Sequence, residues 1–451
     1  MSVDQKGVVL IELMLAFSIW AIFLSAIVPL WFTLTSSDRV FERYVDEEGL
    51  WIWHVLFTNL SNDLGRKYTD RNTFIVENKK TGNSTMVSDW KNSFAHSSCR
   101  DVNFSKGHIV PFSGNFYLDG QSIPQDMKVR GHYLYLSADS ATSTDADFYV
   151  VDIKGPDKPM LISKLDTGPG LRGIYLSGYT AYAANSSVNS QAVAINIADA
   201  MNPKISWSFK AAGSHSTTTS IGKSIATDGS RLYIGTEKST LPELFVVDTI
   251  THKEIAHAEI GAVVNGLYID HSSIYVASPL NPELSVFSVP AIPLASSNAS
   301  STTPPASLLL TPINSYEAPG STGNGKSLDV VNNNIYLGRT LGGNELIELE
   351  SGTSSASLIN KTKDIKIGAT VDAMIASKDY LYILTANSAK EFQIWHRDPG
   401  PSWSLSSYID LPSRAVALAC SSGRIFIALG RASIVDVNGT SSPILEIAPD
   451  P

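Results

Sequence analysis

The sequence predicts a mainly β chain carried on one long N-terminal transmembrane helix, its bulk folded as a seven-bladed β-propeller. Three observations predict this. An apolar run extends from Val8 to Leu34, an aromatic-centred motif recurs seven times from about residue 121 onward, and each recurrence brings several short strand-like pieces.

The apolar run, VVLIELMLAFSIWAIFLSAIVPLWFTL, has Glu12, Ser18, Ser25, Pro29 and Thr33 as its only non-apolar members. Its 27 residues reach roughly 40 Å as a helix at about 1.5 Å per residue, enough to cross a bilayer. A secretory signal has a shorter apolar core with its small-residue cleavage site after it; here the small residue, Gly7, comes before a longer core. Charge near the span barely orients it, because Lys6 stands alone before it and Arg39 and Arg43 follow among acids. A carboxylate inside such a helix is costly and calls for a partner, which singles out Glu12. Beyond the span, Phe41, Val45, Ile52, Val55, Leu56 and Leu60 keep helical spacing up to Leu64, and Gly65 suits the end of that helix. Residues 65–120 hold short strand-like pieces at Thr73–Val76, Val102–Phe104 and Asn115–Leu118, expected to form a small β head or connector.

The repeat over 121–451 is anchored by an aromatic between apolar residues: Tyr135, Tyr182, Tyr233, Tyr275, Tyr336, Tyr382 and Phe426, spaced 47, 51, 42, 61, 46 and 44 residues apart. The longest interval contains Ala295–Ser307, a low-complexity stretch expected to be a surface insertion. In the sixth repeat the four strands are expected at Asp372–Ser377, Tyr380–Thr385, Glu391–His396 and Ser404–Leu411. Four short strands per unit of some 45 residues, seven times over, is the pattern of a propeller, in which each blade buries its faces against its neighbours. The repeated aromatic is expected to be core packing.

A finer register runs beneath the aromatic. Ten residues before it stand Arg172, Lys223, Asn265, Lys326 and Asp372, each followed by a small and then an apolar residue; Gln125 and Val416 hold the same offset in the outer repeats. These positions begin the innermost strands and would gather around the mouth of the central channel. Arg172, Lys223 and Lys326 could then meet an anionic ligand, with Asn265 and Gln125 orienting it and Asp372 opposing it or pairing with a neighbour. The structural alternative is that the ring binds backbone carbonyls and adjacent side chains to close the blades.

Chemistry is otherwise sparse. A net charge of −9 without a clustered basic face argues against nucleic-acid binding. The nine histidines make no HExxH, and there is no CxxC, P-loop or GxSxG. No cofactor, metal site or catalytic residue is expected; Asp145 and Asp147 evoke a calcium loop but lack its other ligands and its glycine. Cys99 and Cys420 allow one bridge, although the apolar run Ala415–Ala419 makes Cys420 read as a buried, unbridged strand residue.

Two resemblances extend this. Gly7, Glu12 and Pro29 together resemble the N-terminus of a type IV prepilin. The resemblance implies a leader over 1–7, cleavage between Gly7 and Val8 by a prepilin peptidase, methylation of the new N-terminus, and a pilin-like helix over 8–64 spanning the membrane at 8–34. It also implies that Glu12, at the fifth mature position, pairs with the N-terminal amine of a neighbouring pilin-like subunit, with Pro29 at the twenty-second; the departure is Val8, where the family more often has Phe or Met. Repeats one and two, with Asp152 seven residues before Pro159 and Asn196 seven before Pro203, resemble the LVIVD class of propeller repeat, echoed at Phe245–Asp248 and Ile434–Asp436. The expectation is a single-pass membrane subunit with its propeller outside the cytoplasm, a minor pilin or pseudopilin binding a surface protein or glycan, because a head of this size would obstruct a major subunit's packing. The alternative is a membrane-anchored propeller enzyme acting on a glycan or small anion at the channel mouth.

Overall fold

The computed structural model describes residues 104–450 apart from short loops, the longest 291–306, together with the strands Leu64–Tyr68, Thr73–Asn78 and Ser84–Ser88. Of the expected helix over 8–64, residues up to 63, with Gly7, Val8, Glu12 and Pro29 among them or just ahead, lie outside the described residues. Leu64 and Gly65, expected at its end, belong instead to the strand Leu64–Tyr68, where they pair with Asn78 and Glu77. The chain divides into two compact units, 1–87 and 88–451. In the first, the three strands form one sheet in sequence order, Leu64–Tyr68 running antiparallel to Thr73–Asn78 with Leu64 opposite Asn78. The strand expected at Thr73 is present and runs two residues longer.

The second unit is a closed ring of seven four-stranded antiparallel blades. Their innermost strands are Ile123–Arg130, Leu171–Ser177, Gly222–Thr227, Gly266–Asp270, Gly325–Val331, Val371–Ala376 and Ala415–Ser421, and each packs against the next, the last returning to the first. The sixth blade shows how closely the alternation specifies its strands. Val371–Ala376, Tyr380–Thr385, Phe392–Arg397 and Trp403–Ile409 stand within about two residues of the expected bounds. Second and third strands are buried on both faces between adjacent blades, so they read as near-continuous apolar runs such as Leu134–Leu136 and Phe148–Val151. The repeated aromatics are core, from Tyr233 and Tyr382 at 0% exposure to Tyr182 at 7%.

Closure departs from the expected boundary at 121. The outermost strand of the seventh blade is Gly107–Val110, which pairs antiparallel with Ile444–Pro449 from Val110 opposite Glu446 to Gly107 opposite Pro449. The ring is thus stitched by chain from both ends of the unit. Phe104 anchors the stitch: its ring lies 5.4 Å from that of Tyr382 and its N–H donates to the Tyr382 hydroxyl at 3.0 Å. Gly107 has no room for a side chain, since a Cβ there would meet Ile447 at 2.8 Å and Phe104 at 2.9 Å. Leu118, expected in a strand, lies instead in the connection to the first blade, where its own side chain is buried.

Three further departures are local. Ile434–Val435, in the stretch read as an echo of the repeat's strand motif, forms a two-stranded excursion with Ser441–Ser442, and Ile444–Pro449 takes the blade position. After 291–306, Leu308–Leu309 adds a short parallel strand to the edge of the third blade beside Ala256–His257. Cys420 is buried as expected but disulfide-bonded, so its apolar surroundings misled; Cys99, the other cysteine of the chain, lies outside the described residues.

Candidate ligand site at the channel mouth

Six of the seven ring positions share a backbone device, a bulge between the first and second strands. In five blades the register between first and second strands slips by one residue, and the residues left over are Gln125, Lys223, Lys326, Asp372 and Val416. In the second blade Arg172 and Gly173 together face Ala184, and in the fourth Asn265 stands just ahead of its strand and donates its N–H to Ala277 at 2.9 Å. A bulge re-aims its side chain out of the sheet, which is how one sequence offset becomes one ring at the mouth.

Most of the ring is occupied in holding blades together. Asn265 donates its side-chain amide to the Gly325 carbonyl of the fifth blade at 2.9 Å, and Gln125 reaches only the carbonyl of Ile123 at 3.4 Å. Arg172 places Nη1 on Glu237 of the third blade at 2.6 Å and Nε on Ser186 at 3.1 Å. Asp372 is shared by two cations, Lys326 at 2.9 Å and Arg414 at 2.7 Å. Beneath them, hydroxyls clamp blade to blade: Ser137 to the Arg172 carbonyl, Ser224 to Val264 at 2.8 Å and Ser327 to Val371 at 3.0 Å. Gly235 and Gly338 make room for two of these clamps, since a Cβ at either would meet the serine hydroxyl at 2.3 or 2.2 Å.

Lys223 is the exception. It is half-buried in the ring and, among the described residues, forms no ion pair or side-chain hydrogen bond. Burial lowers its ammonium pKa, Arg172 and Lys326 push the same way, and Glu237 and Asp139 oppose them. Arg172 and Lys326 thus act on the Lys223 ammonium, while each of these two already has an acidic partner.

A second ring was missed. At the same end of the blades, beside the start of the third strand, stand Asp147, Gln191, Glu243, Glu283, Glu345 and Glu391, all buried. They cap backbone amides of the connection leading to the next blade: Asp147 takes Thr167 at 2.9 Å, Gln191 takes Ala211 at 2.8 Å, and Glu391 takes Leu411 at 3.0 Å. Glu243 takes Ile260 and Gly261, and Glu345 takes Ile367 and Gly368, all at 2.9 to 3.0 Å. The signal was available as an acid or amide eight to twelve residues after six of the seven repeated aromatics, directly ahead of an apolar run. Asp147 is thus a cap, and its carboxylate is engaged by Thr167.

Burial pushes the Asp147 carboxyl up to about 7, against the lowering effect of Thr167. A folded-state pKa above the unfolded value means that the folded chain holds the extra proton between about pH 4 and 7. Stability is then fully present below pH 4 and declines as pH rises toward 8, by at most about 4 kcal/mol. Asp147→Asn keeps the acceptor and should remove most of that slope, checked by urea midpoints at pH 5 and 8; an equal slope in the variant would exclude Asp147 as its source.

One constellation that resembles a nucleophile relay is not one. Glu254 and Ser307 both lie against the same His257 nitrogen, Nδ1, at 2.8 and 2.9 Å, whereas a relay needs them on opposite ring nitrogens.

No family model and no curated protein matches the sequence. Solved structures match its shape. Virginiamycin B lyase from Staphylococcus aureus is similar at 11% identity and a TM-score of 0.51, covering 76% of this chain and 100% of its own. Kuenenia stuttgartiensis hydrazine synthase is similar at 13% identity and a TM-score of 0.50, covering 74% of this chain and 98% of its own. A functionally unknown protein from Desulfotomaculum acetoxidans is similar at 12% and 0.50, covering 67% and 96%. The fold is a seven-bladed β-propeller. At such identities the likeness concerns the fold alone and carries no activity.

Proposed function

We propose that this chain is a minor type IV pilin-like or pseudopilin-like subunit that holds the propeller outside the cytoplasm as a non-enzymatic binding head for a surface protein or glycan. The observation that carries this is the spacing of Gly7, Glu12 and Pro29 through an apolar run of membrane-spanning length, ahead of a propeller. Val8–Leu34 serves as a single-pass anchor and as the contact with other pilin-like subunits, with Glu12 neutralised by a neighbour's terminal amine. The disulfide at Cys420 is in keeping with an oxidising compartment. The ring of blade-to-blade ties at the mouth suits a rigid platform that presents loops to a partner.

Mass spectrometry of the membrane-extracted protein should find a chain beginning at Val8 with a methylated N-terminus; an intact Met1 or Ser2 start would exclude prepilin processing. Glu12→Val should leave membrane insertion unchanged and sharply reduce incorporation into sheared fibres. Wild-type incorporation by the variant would remove the role given to Glu12.

A further inference from the structure

We propose that the channel mouth binds a small oxyanion, a carboxylate or phosphate group, on Lys223, with Arg172 and Lys326 as flanking charges. This deepens the binding-head assignment by naming the chemistry that the head would recognise, and it rests on that assignment for its setting.

The first ground is position. Gly222 pairs with Thr236 and Ser224 with Gly235, so Lys223 is the residue that the bulge leaves over at the mouth. Its backbone is fixed on both sides, by the Ser224 clamp to Val264 and by Gly222, whose missing Cβ lets it sit against the backbone of Gln191 and Asn185. The ammonium is thus carried by a rigid element.

The second ground is the charge left over. Arg172 and Glu237 neutralise each other. Asp372 faces both Lys326 and Arg414 and so leaves one positive charge in excess. Lys223 adds another, opposed only by Asp139 among the acids acting on it that have no cation of their own. A half-buried ammonium beside two further cations is an unfavourable arrangement that an incoming anion relieves. Burial lowers the Lys223 pKa, and a bound anion would raise it again.

The third ground is what the remaining ring can supply. Asn265 is committed to Gly325 and Val416 is apolar, so recognition falls on the side of the mouth formed by the second, third and fifth blades. A single anionic group fits that side better than an extended neutral chain, which would need a full circle of open donors and acceptors.

The test is isothermal titration of the full-length chain in detergent, at fixed ionic strength, with glucuronate, inorganic phosphate and uncharged glucose. Saturable binding of glucuronate or phosphate and none of glucose is expected; tighter glucuronate would point to the acidic sugar of a glycan, tighter phosphate to the free ion. Lys223→Gln should weaken binding at least about tenfold, or roughly 1.4 kcal/mol, whereas Lys223→Arg should keep most of it. Lys378→Gln, an exposed lysine in the turn at the other end of the sixth blade, should bind as wild type. On the unmodified chain, glucuronate affinity should fall as pH rises, because the lowered Lys223 pKa brings the loss of the ammonium charge below the pH of an ordinary lysine. No saturable anion binding, undiminished binding by Lys223→Gln, or a flat pH profile would each overturn the proposal. Processing at Val8 is read separately, so either idea can fail without the other.

Discussion

Arg339→Met should destabilise the propeller by about 3 to 5 kcal/mol, the range expected when one partner of a buried ion pair is removed. Arg339 is fully buried and grips Glu283 of the preceding blade in a two-pronged pair, Nε to Oε2 and Nη2 to Oε1, both at 2.7 Å. Its other donors reach the carbonyls of Asn344 at 2.6 Å and Gly323 at 3.1 Å. Removing the guanidinium therefore strands a carboxylate at 2% exposure together with two carbonyls. Burial already raises the Glu283 pKa despite Arg339, so in the variant the acid would take up a proton instead of staying charged. The double variant Glu283→Leu/Arg339→Met should recover much of the loss, because well-packed apolar groups replace such pairs at little cost. Urea midpoints of the three proteins decide this. A single-variant loss below about 1 kcal/mol would mean the pair contributes no more than an exposed one.

The second large effect concerns closure. A chain starting at Ser88, where the second unit begins, should fold, whereas one starting at residue 112 should not remain monomeric. The shorter chain lacks Phe104 and the strand Gly107–Val110, which leaves the backbone of Ile444–Pro449 unpaired along one edge. Exposed edges of this kind recruit strands from other molecules. Phe104→Ala alone should cost about 3 to 5 kcal/mol, as burial of the ring and its contact with Tyr382 are lost. Size-exclusion profiles and thermal melts would show the graded series. A monomeric truncated chain that melts within a few degrees of the longer one would refute this account of closure.

The seven blades were legible because each repeat carries its own pattern: an aromatic such as Tyr382 between Leu381 and Ile383 declares a strand buried on both faces without reference to anything distant. The closing strand was not. Gly-His-Ile-Val is four residues long, weakly alternating, and finds its partner at Ile444–Pro449, more than 300 residues away, a relation that local periodicity does not encode. Ile434–Val435 shows the converse, a short apolar stretch with the right local look and the wrong place in the sheet.

At the mouth, the constant offset of Lys223 and its counterparts from the aromatic was visible because the bulge recurs at one point of the hairpin in every blade but the fourth. Which charges would be neutralised was not visible. Glu237 and Arg414 lie in connections whose reach depends on the angle between blades, so only the folded ring shows that Arg172 and Lys326 have acidic partners and Lys223 does not. The ring of acids from Asp147 to Glu391 was present at regular spacing, but an isolated acid before a strand reads as solvated until its amide partners are seen.

The stitched seventh blade has a mechanical consequence. Cys420, on the innermost strand of that blade, is disulfide-bonded, and the only other cysteine of the chain is Cys99, so tension from the N-terminal side enters the ring through a covalent link ahead of Phe104 and Gly107–Val110. The four-residue seam and its one aromatic contact are thereby shielded from load while the bridge is intact. Reduction would make the seam the fuse of the ring, the first element to part under shear.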